Sequence, residues 1–220
     1  MIPKIIHYCW FGRKPKPQKV AEYIETWKTM CPDYEIIEWN EDNFDVNMFA
    51  FTKEAYRIKK YAFVSDVCRL YALRKYGGIY MDTDVRLLKS FDKFLTYKSF
   101  IGKEVPFKVS TAVIGAELDC KWLKIFYEYY KDKHFITRKG KLNNLENTAI
   151  LTRILNQLYP DYTDELEIYD IDVFCGKLYT KNQYVITDRT VSVHEFSGTW
   201  MSKKTSYIEK LINIYKRYIK

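Results

Sequence analysis

The stretch KYGGIYMDTDVRL, from Lys75 to Leu87, places two glycines before a short apolar run that ends in two carboxylates one residue apart, Asp82 and Asp84. A glycine that follows a helical pattern commonly ends the helix, so Gly77 reads as a C-cap. Upstream, YAFVSDVCRLYALRKY spaces Phe63, Val67, Leu70 and Leu73 along one helical face. Downstream, IYMDTD reads as a strand whose end carries the pair. Ligands of open α/β sheets bind beyond the carboxyl ends of the strands, so this position suits a site. The tripeptide alone admits three readings: a divalent-metal clamp for a phosphate-bearing substrate, a phosphoryl-accepting aspartate pair, or the polar end of a strand.

The fold class follows from what flanks this stretch. Residues Ile2 to Trp10 are β-branched and aromatic until GRKPKP stops them, a helix is predicted from about Gln18 to Met30 with Val20, Ile24 and Trp27 on one face, and Tyr34 to Asn40 reads as a second strand. A strand, helix, strand opening is what a parallel α/β unit needs, because parallel neighbours require a crossover. Two helical segments lie between Phe49 and Tyr76. Beyond the pair, strands are predicted at Ser99 to Gly102 and Val109 to Gly115, and helices at Lys121 to Tyr130 and Leu145 to Leu158. With no internal repeat or interdomain linker, residues 1–220 read as one domain, in which 201–220 form an amphipathic helix with Ile208, Leu211, Ile212, Tyr215 and Ile219 on one face.

The composition narrows the function without deciding it. A formal charge of +8 favours anionic partners such as nucleotides or acidic lipid headgroups. The five cysteines are scattered and lack CxxC spacing, which indicates neither a disulfide framework nor a zinc site and fits a reducing cytoplasm. No apolar run approaches the roughly 20 residues that span a bilayer, so any membrane contact would be peripheral, through the basic tail at 203–220; packing of that tail on the domain is the alternative. The basic residues are dispersed among acidic ones and no recognition motif accompanies them, so nucleic acid is not the expected partner.

A DxD pattern arises easily by chance, and YDIDVF holds a second pair, Asp170 and Asp172, without a glycine turn before it or a recognisable partner. Asp82 and Asp84 differ in their company: a helix carrying Asp66 and Arg69, the glycine turn and the short strand. Asp66 and Arg69 are three apart and share a helix face, where they either pair with each other or serve a donor, Arg69 gripping a diphosphate and Asp66 a sugar hydroxyl. Carboxylates beside a diphosphate need a cation between them, Mn²⁺ or Mg²⁺, which would stabilise charge developing on a leaving diphosphate.

The order IPKIIHYCWFG, SDVCRLYALRKYGGIYMDTDV and HEFSGTW resembles the glycosyltransferases of family 32, DxD enzymes that include bacterial capsular-polysaccharide and yeast mannosyl transferases and are distantly related to clostridial glucosylating toxins. The resemblance implies a GT-A fold, a Rossmann-like nucleotide-binding α/β sandwich with a mixed, mainly parallel sheet. It implies Trp10 near the nucleobase, Asp66 and Arg69 on the donor, Asp82 on the donor sugar or ribose, and Asp84 on the metal, with His194 or Glu195 completing the metal shell. Gly78, Tyr80, Ser197, Thr199 and Trp200 complete the implied donor set, and Asp82, Asp84 and Trp200 the implied catalytic set. Glu195 stands where the commonest pattern has a second histidine, and Thr199 where it has a serine. Asn147 would either face the donor sugar or cap a helix.

The activity so implied is metal-dependent transfer of a hexose, with retention, from a nucleotide diphosphate sugar, UDP-galactose or UDP-glucose being favoured over GDP-mannose. The acceptor would be a saccharide or lipid-linked saccharide of bacterial surface-polysaccharide synthesis, at the inner face of the cytoplasmic membrane. Two rivals remain at this level. A haloacid-dehalogenase-like phosphotransferase would use Asp82 as its phosphate acceptor, although about 80 residues of α/β chain precede the motif and no later acidic pair matches. A non-enzymatic basic nucleic-acid-binding protein is the other.

Overall fold

The N-terminal strand, helix and strand form as their spacing predicts: β1 (Ile5–Cys9), α1 (Gln18–Met30) and β2 (Glu35–Trp39), with β1 and β2 in parallel register. The structure, a computed structural model, describes residues 1–178 and 182–198; the expected amphipathic tail and the 203–220 membrane contact lie outside the described residues. Helices α2 (Ala50–Arg57) and α3 (Tyr61–Tyr76) lead to β3 (Gly78–Met81) and β4 (Val85–Leu87). There follow β5 (Ser99–Val105), β6 (Lys108–Ala116), α4 (Lys121–Glu128), α5 (Asn147–Leu158), β7 (Glu167–Tyr169) and α6 (Ile171–Phe174). Three short strands close the described chain, β8 (Lys177–Leu178), β9 (Gln183–Tyr184) and β10 (Ser192–His194).

The main sheet has the order β2-β1-β3-β6-β5-β7. The pairs β1–β2, β1–β3 and β5–β7 are parallel and β6 runs against both of its neighbours, so the sheet is mixed and mainly parallel. Two apolar layers cover it. One holds the buried faces of α2 to α5, the other α1 and α6. The alternation of a strand assigns β3 to both layers: Ile79 and Met81 enter the α1 side, and Tyr80 enters the α3 side.

Gly77 and Gly78 turn the chain from α3 into β3. Gly77 adopts φ +66° and its N–H donates to Leu73 O, as a C-cap requires. Gly78 has φ +99°, and a Cβ there would come within 2.7 Å of Ile5 O on β1. Both positions demand glycine for backbone reasons. The buried His7 of β1 locks the turn further, its Nε2 donating 2.8 Å to Gly77 O while its Nδ1 accepts from Trp39 Nε1 at 3.1 Å.

Candidate active site

Strand alternation places Asp82, two residues after Tyr80, on the α3 side just beyond the carboxyl end of β3. There its Oδ1 accepts from Tyr80 Oη at 2.9 Å and lies 3.3 Å from Arg69 Nη2. Helix spacing brings Asp66 onto the same face, 2.9 Å from Arg69 Nη2. Arg69 Nη1 also donates to Thr111 O at 2.7 Å, and its guanidinium covers the Tyr80 ring at 4.5 Å. Asn147, the first residue of α5, bridges the network, donating to Asp66 Oδ1 at 2.6 Å and accepting from Thr111 Oγ1 at 2.9 Å. Burial pushes the Asp66 carboxyl up to about 7 against the pull of Arg69, and raises Asp82 as well.

The C-terminal segment reaches the pair through an antiparallel ladder. β10 pairs with β4, setting His194 opposite Val85. Glu195 N–H donates to Asp84 O, and Ser197 N–H to Asp84 Oδ2 at 2.8 Å. His194 Nε2 then stands 3.3 Å from Asp84 Oδ1. Burial opposes charge on both groups, but their attraction outweighs it: Asp84 is held down at about 2 and His194 is raised well above its ordinary value. One ligand atom from each of Asp82, Asp84 and His194 lies within 4.8 Å of the other two, so the three side chains converge as donors around one cation do.

Residues 17–101 match the family described as glycosyltransferase sugar-binding region containing DXD motif. The glycosyltransferase resemblance read from the sequence is thereby borne out. Inositol phosphoceramide mannosyltransferase 3 of Schizosaccharomyces pombe is 31% identical over 122 residues, covering 52% of this chain and 33% of that protein. The chain spans about a third of the length of the fission-yeast relatives it matches. Two solved structures share the fold. The PaToxG glycosyltransferase has a TM-score of 0.53 at 21% identity, covering 72% of this chain and 70% of that one. A glycosyltransferase involved in glycosylation of the major capsid of PBCV-1 also has 0.53, at 12% identity, covering 97% and 100%. The expected GT-A α/β architecture is the one observed.

The DXD region supplies Asp66, Arg69, Tyr80, Asp82 and Asp84, and His194 arrives from outside it. Within this site several expected roles change. All three guanidinium nitrogens of Arg69 are engaged within the protein and the residue is 4% exposed, so the ion pair with Asp66 is the arrangement the structure shows. The Glu195 carboxylate turns to Lys177 at 3.0 Å and Tyr184 Oη at 2.9 Å, away from the aspartates, which leaves His194 as the partner of Asp84. Asp82 lies in one cluster with Asp84 and His194. Asn147 makes no side-chain cap hydrogen bond, and Glu146 is the N-cap residue. Gly78 lies at the opposite end of β3 from Asp82, where its role is the close approach to β1.

Trp10 follows β1 at the sheet's carboxyl edge, its Nε1 donating 2.6 Å to Lys14 O, and lines a cavity of about 300 Å³ with Lys14, Lys16, Glu38, Asn40 and Asp42. Thr199 and Trp200 lie outside the described residues. The second DxD pair is structural: Asp170 precedes α6, and Asp172 pairs with Arg189 at 2.8 Å and Thr187 at 2.8 Å. Thr111 was not among the expected site residues. It lies inside a predicted strand with no motif around it, and only the crossing of β6 over Arg69 gives it a role.

Proposed function

We propose that the chain transfers a sugar from a nucleotide diphosphate sugar to a hydroxyl of a saccharide or lipid-linked saccharide. The observation that carries this reading is the convergence of Asp82, Asp84 and His194 at the carboxyl end of β3, within a DXD-type fold. Two carboxylates and an imidazole fit a divalent cation, Mn²⁺ or Mg²⁺, the imidazole favouring Mn²⁺. When bound there, the cation would neutralise the donor diphosphate and the charge that develops as it departs.

The chain's own groups do the positioning. Arg69, Asn147 and Tyr80 fix the two buried carboxylates Asp66 and Asp82, so the floor of the site is set before any ligand arrives. The Ser197 N–H holds Asp84 and ties residues His194 to Ser197 to it. The cavity beside Trp10 offers an aromatic edge and cationic Lys14 and Lys16 for the nucleoside. The acceptor hydroxyl attacks the anomeric carbon on the face the diphosphate leaves; the bond from that carbon to the diphosphate oxygen breaks, and the hydroxyl proton passes to that oxygen. The configuration is thereby retained, with no carboxylate nucleophile.

The relative's name gives GDP-mannose equal standing among the donors to test. A panel of UDP-galactose, UDP-glucose and GDP-mannose, assayed for Mn²⁺-dependent hydrolysis or thermal stabilisation with Asp84→Ala as control, tests the proposal. One responsive donor whose effect vanishes in the control supports it. No response from any donor, or a control equal to wild type, rejects it.

A further inference from the structure

The segment between α4 and α5 carries Lys131, Lys133, Arg138, Lys139 and Lys141 against two acidic residues, Asp132 and Glu146, the second of which pairs with Lys108. Its middle folds as a hairpin: Ile136 bridges Leu142, Thr137 N–H donates to Lys141 O, and Gly140 N–H to Thr137 O. Residues 137–142 are all exposed, and Leu142 shows 42% of its surface beside the cations. Among the described residues, no carboxylate pairs with Arg138, Lys139 or Lys141. By contrast Lys4, Arg13, Lys16, Lys108 and Lys177 each have an acidic partner.

The root of the hairpin is rigid. Phe135 is fully buried against Phe51 and Phe63, and Glu54 of α2 accepts from Ile136 N–H at 2.8 Å and meets His134 Nδ1 at 2.7 Å. Five residues after Leu142 the chain reaches Asn147, which touches Asp66, so Leu142 lies within about 17 Å of Asn147, and Arg138 within about 31 Å, along even a fully extended chain. The charged hairpin thus stands on a fixed support, and the chain beyond it leads into α5, whose first residue touches Asp66.

We infer that the 137–142 hairpin docks on an anionic lipid bilayer, Arg138, Lys139 and Lys141 meeting headgroup charge and Leu142 entering the interface. Charge complementarity points to an anionic partner, and the apolar side chain set among the cations favours a bilayer over nucleic acid, which would ask for an exposed aromatic platform instead. Docking in this way would tether the site to the bilayer that carries a lipid-linked acceptor. That last consequence rests on the proposed function, but the docking itself does not.

Vesicle sedimentation tests it without any donor present. The full chain should sediment with phosphatidylserine-containing vesicles, not with pure phosphatidylcholine, and less as salt rises. The triple variant Arg138→Gln, Lys139→Gln, Lys141→Gln should partition about 100-fold more weakly, at roughly fivefold per cation. Leu142→Ser should weaken binding without changing its salt dependence. Wild type that ignores anionic vesicles, or prefers a single-stranded oligonucleotide to them, overturns the inference. So does a folded triple variant that binds as wild type does, which would move the contact to another segment such as 203–220.

Discussion

Replacing Arg69 with methionine keeps the apolar stem and removes the guanidinium that joins Asp66, Asp82 and the Thr111 carbonyl at 2.9, 3.3 and 2.7 Å. The side chain is 5% exposed, so solvent screens little of this interaction. Breaking a buried pair by deleting one partner costs about 3–5 kcal/mol, because the other charge stays buried. Asp66 would keep its bond from Asn147 and Asp82 its bond from Tyr80, which places the expected loss near the lower bound, at about 3 kcal/mol. Adding Asp66→Asn removes one of the stranded carboxylates, so the double variant should be about 1–2 kcal/mol more stable than additivity predicts. Urea unfolding followed by tryptophan fluorescence at mildly alkaline pH, where Asp66 is ionised, measures all four corners of the cycle. Strict additivity, with a loss below about 1 kcal/mol for Arg69→Met, would refute the reasoning and return the guanidinium to the donor.

The fold makes further commitments. Burial holds His7 down at about 4, below its ordinary 6.5, so its contribution to stability is complete above about pH 6.5 and is lost as pH falls toward 4, by up to about 3 kcal/mol; His7→Gln should flatten that acid limb in denaturant titrations, and an unchanged limb would contradict the burial. Asp172→Asn breaks a pair whose arginine is 63% exposed, so it should cost at most about 1 kcal/mol and leave any cation-induced rise in Tm intact. Glu195→Gln should likewise preserve the Mn²⁺ response, whereas His194→Ala should diminish it; the opposite ranking in a thermal-shift titration would return Glu195 to the cation.

The first half of the chain was legible because its elements have clean periods. The helix read over Gln18 to Met30 forms with those bounds, and the glycine turn ends α3 at the expected residue. β8, β9 and β10 were not legible: each is two or three residues long, too short for any period, and β10 exists through pairing with a strand about a hundred residues earlier. The site divided in the same way. Spacing puts Asp66 and Arg69 on one face, and the contacts that bury the pair come from β6 and α5, which no local pattern shows. The choice between His194 and Glu195 did leave a trace, for neighbours on an extended strand point to opposite sides and only one of them could reach Asp84. The sequence leaves Asn147 between a helix cap and a donor contact, and its amide acts across 81 positions of sequence on Asp66.

The central claim is that Asp82, Asp84 and His194 form a cation-dependent nucleotide-sugar site. Equilibrium binding of nucleoside diphosphates by calorimetry, with Mn²⁺ and with chelator, on wild type and on Asp84→Asn tests it most directly. The account predicts binding that needs both the cation and Asp84. Binding of equal strength under chelation, or in the variant with Mn²⁺, would contradict it.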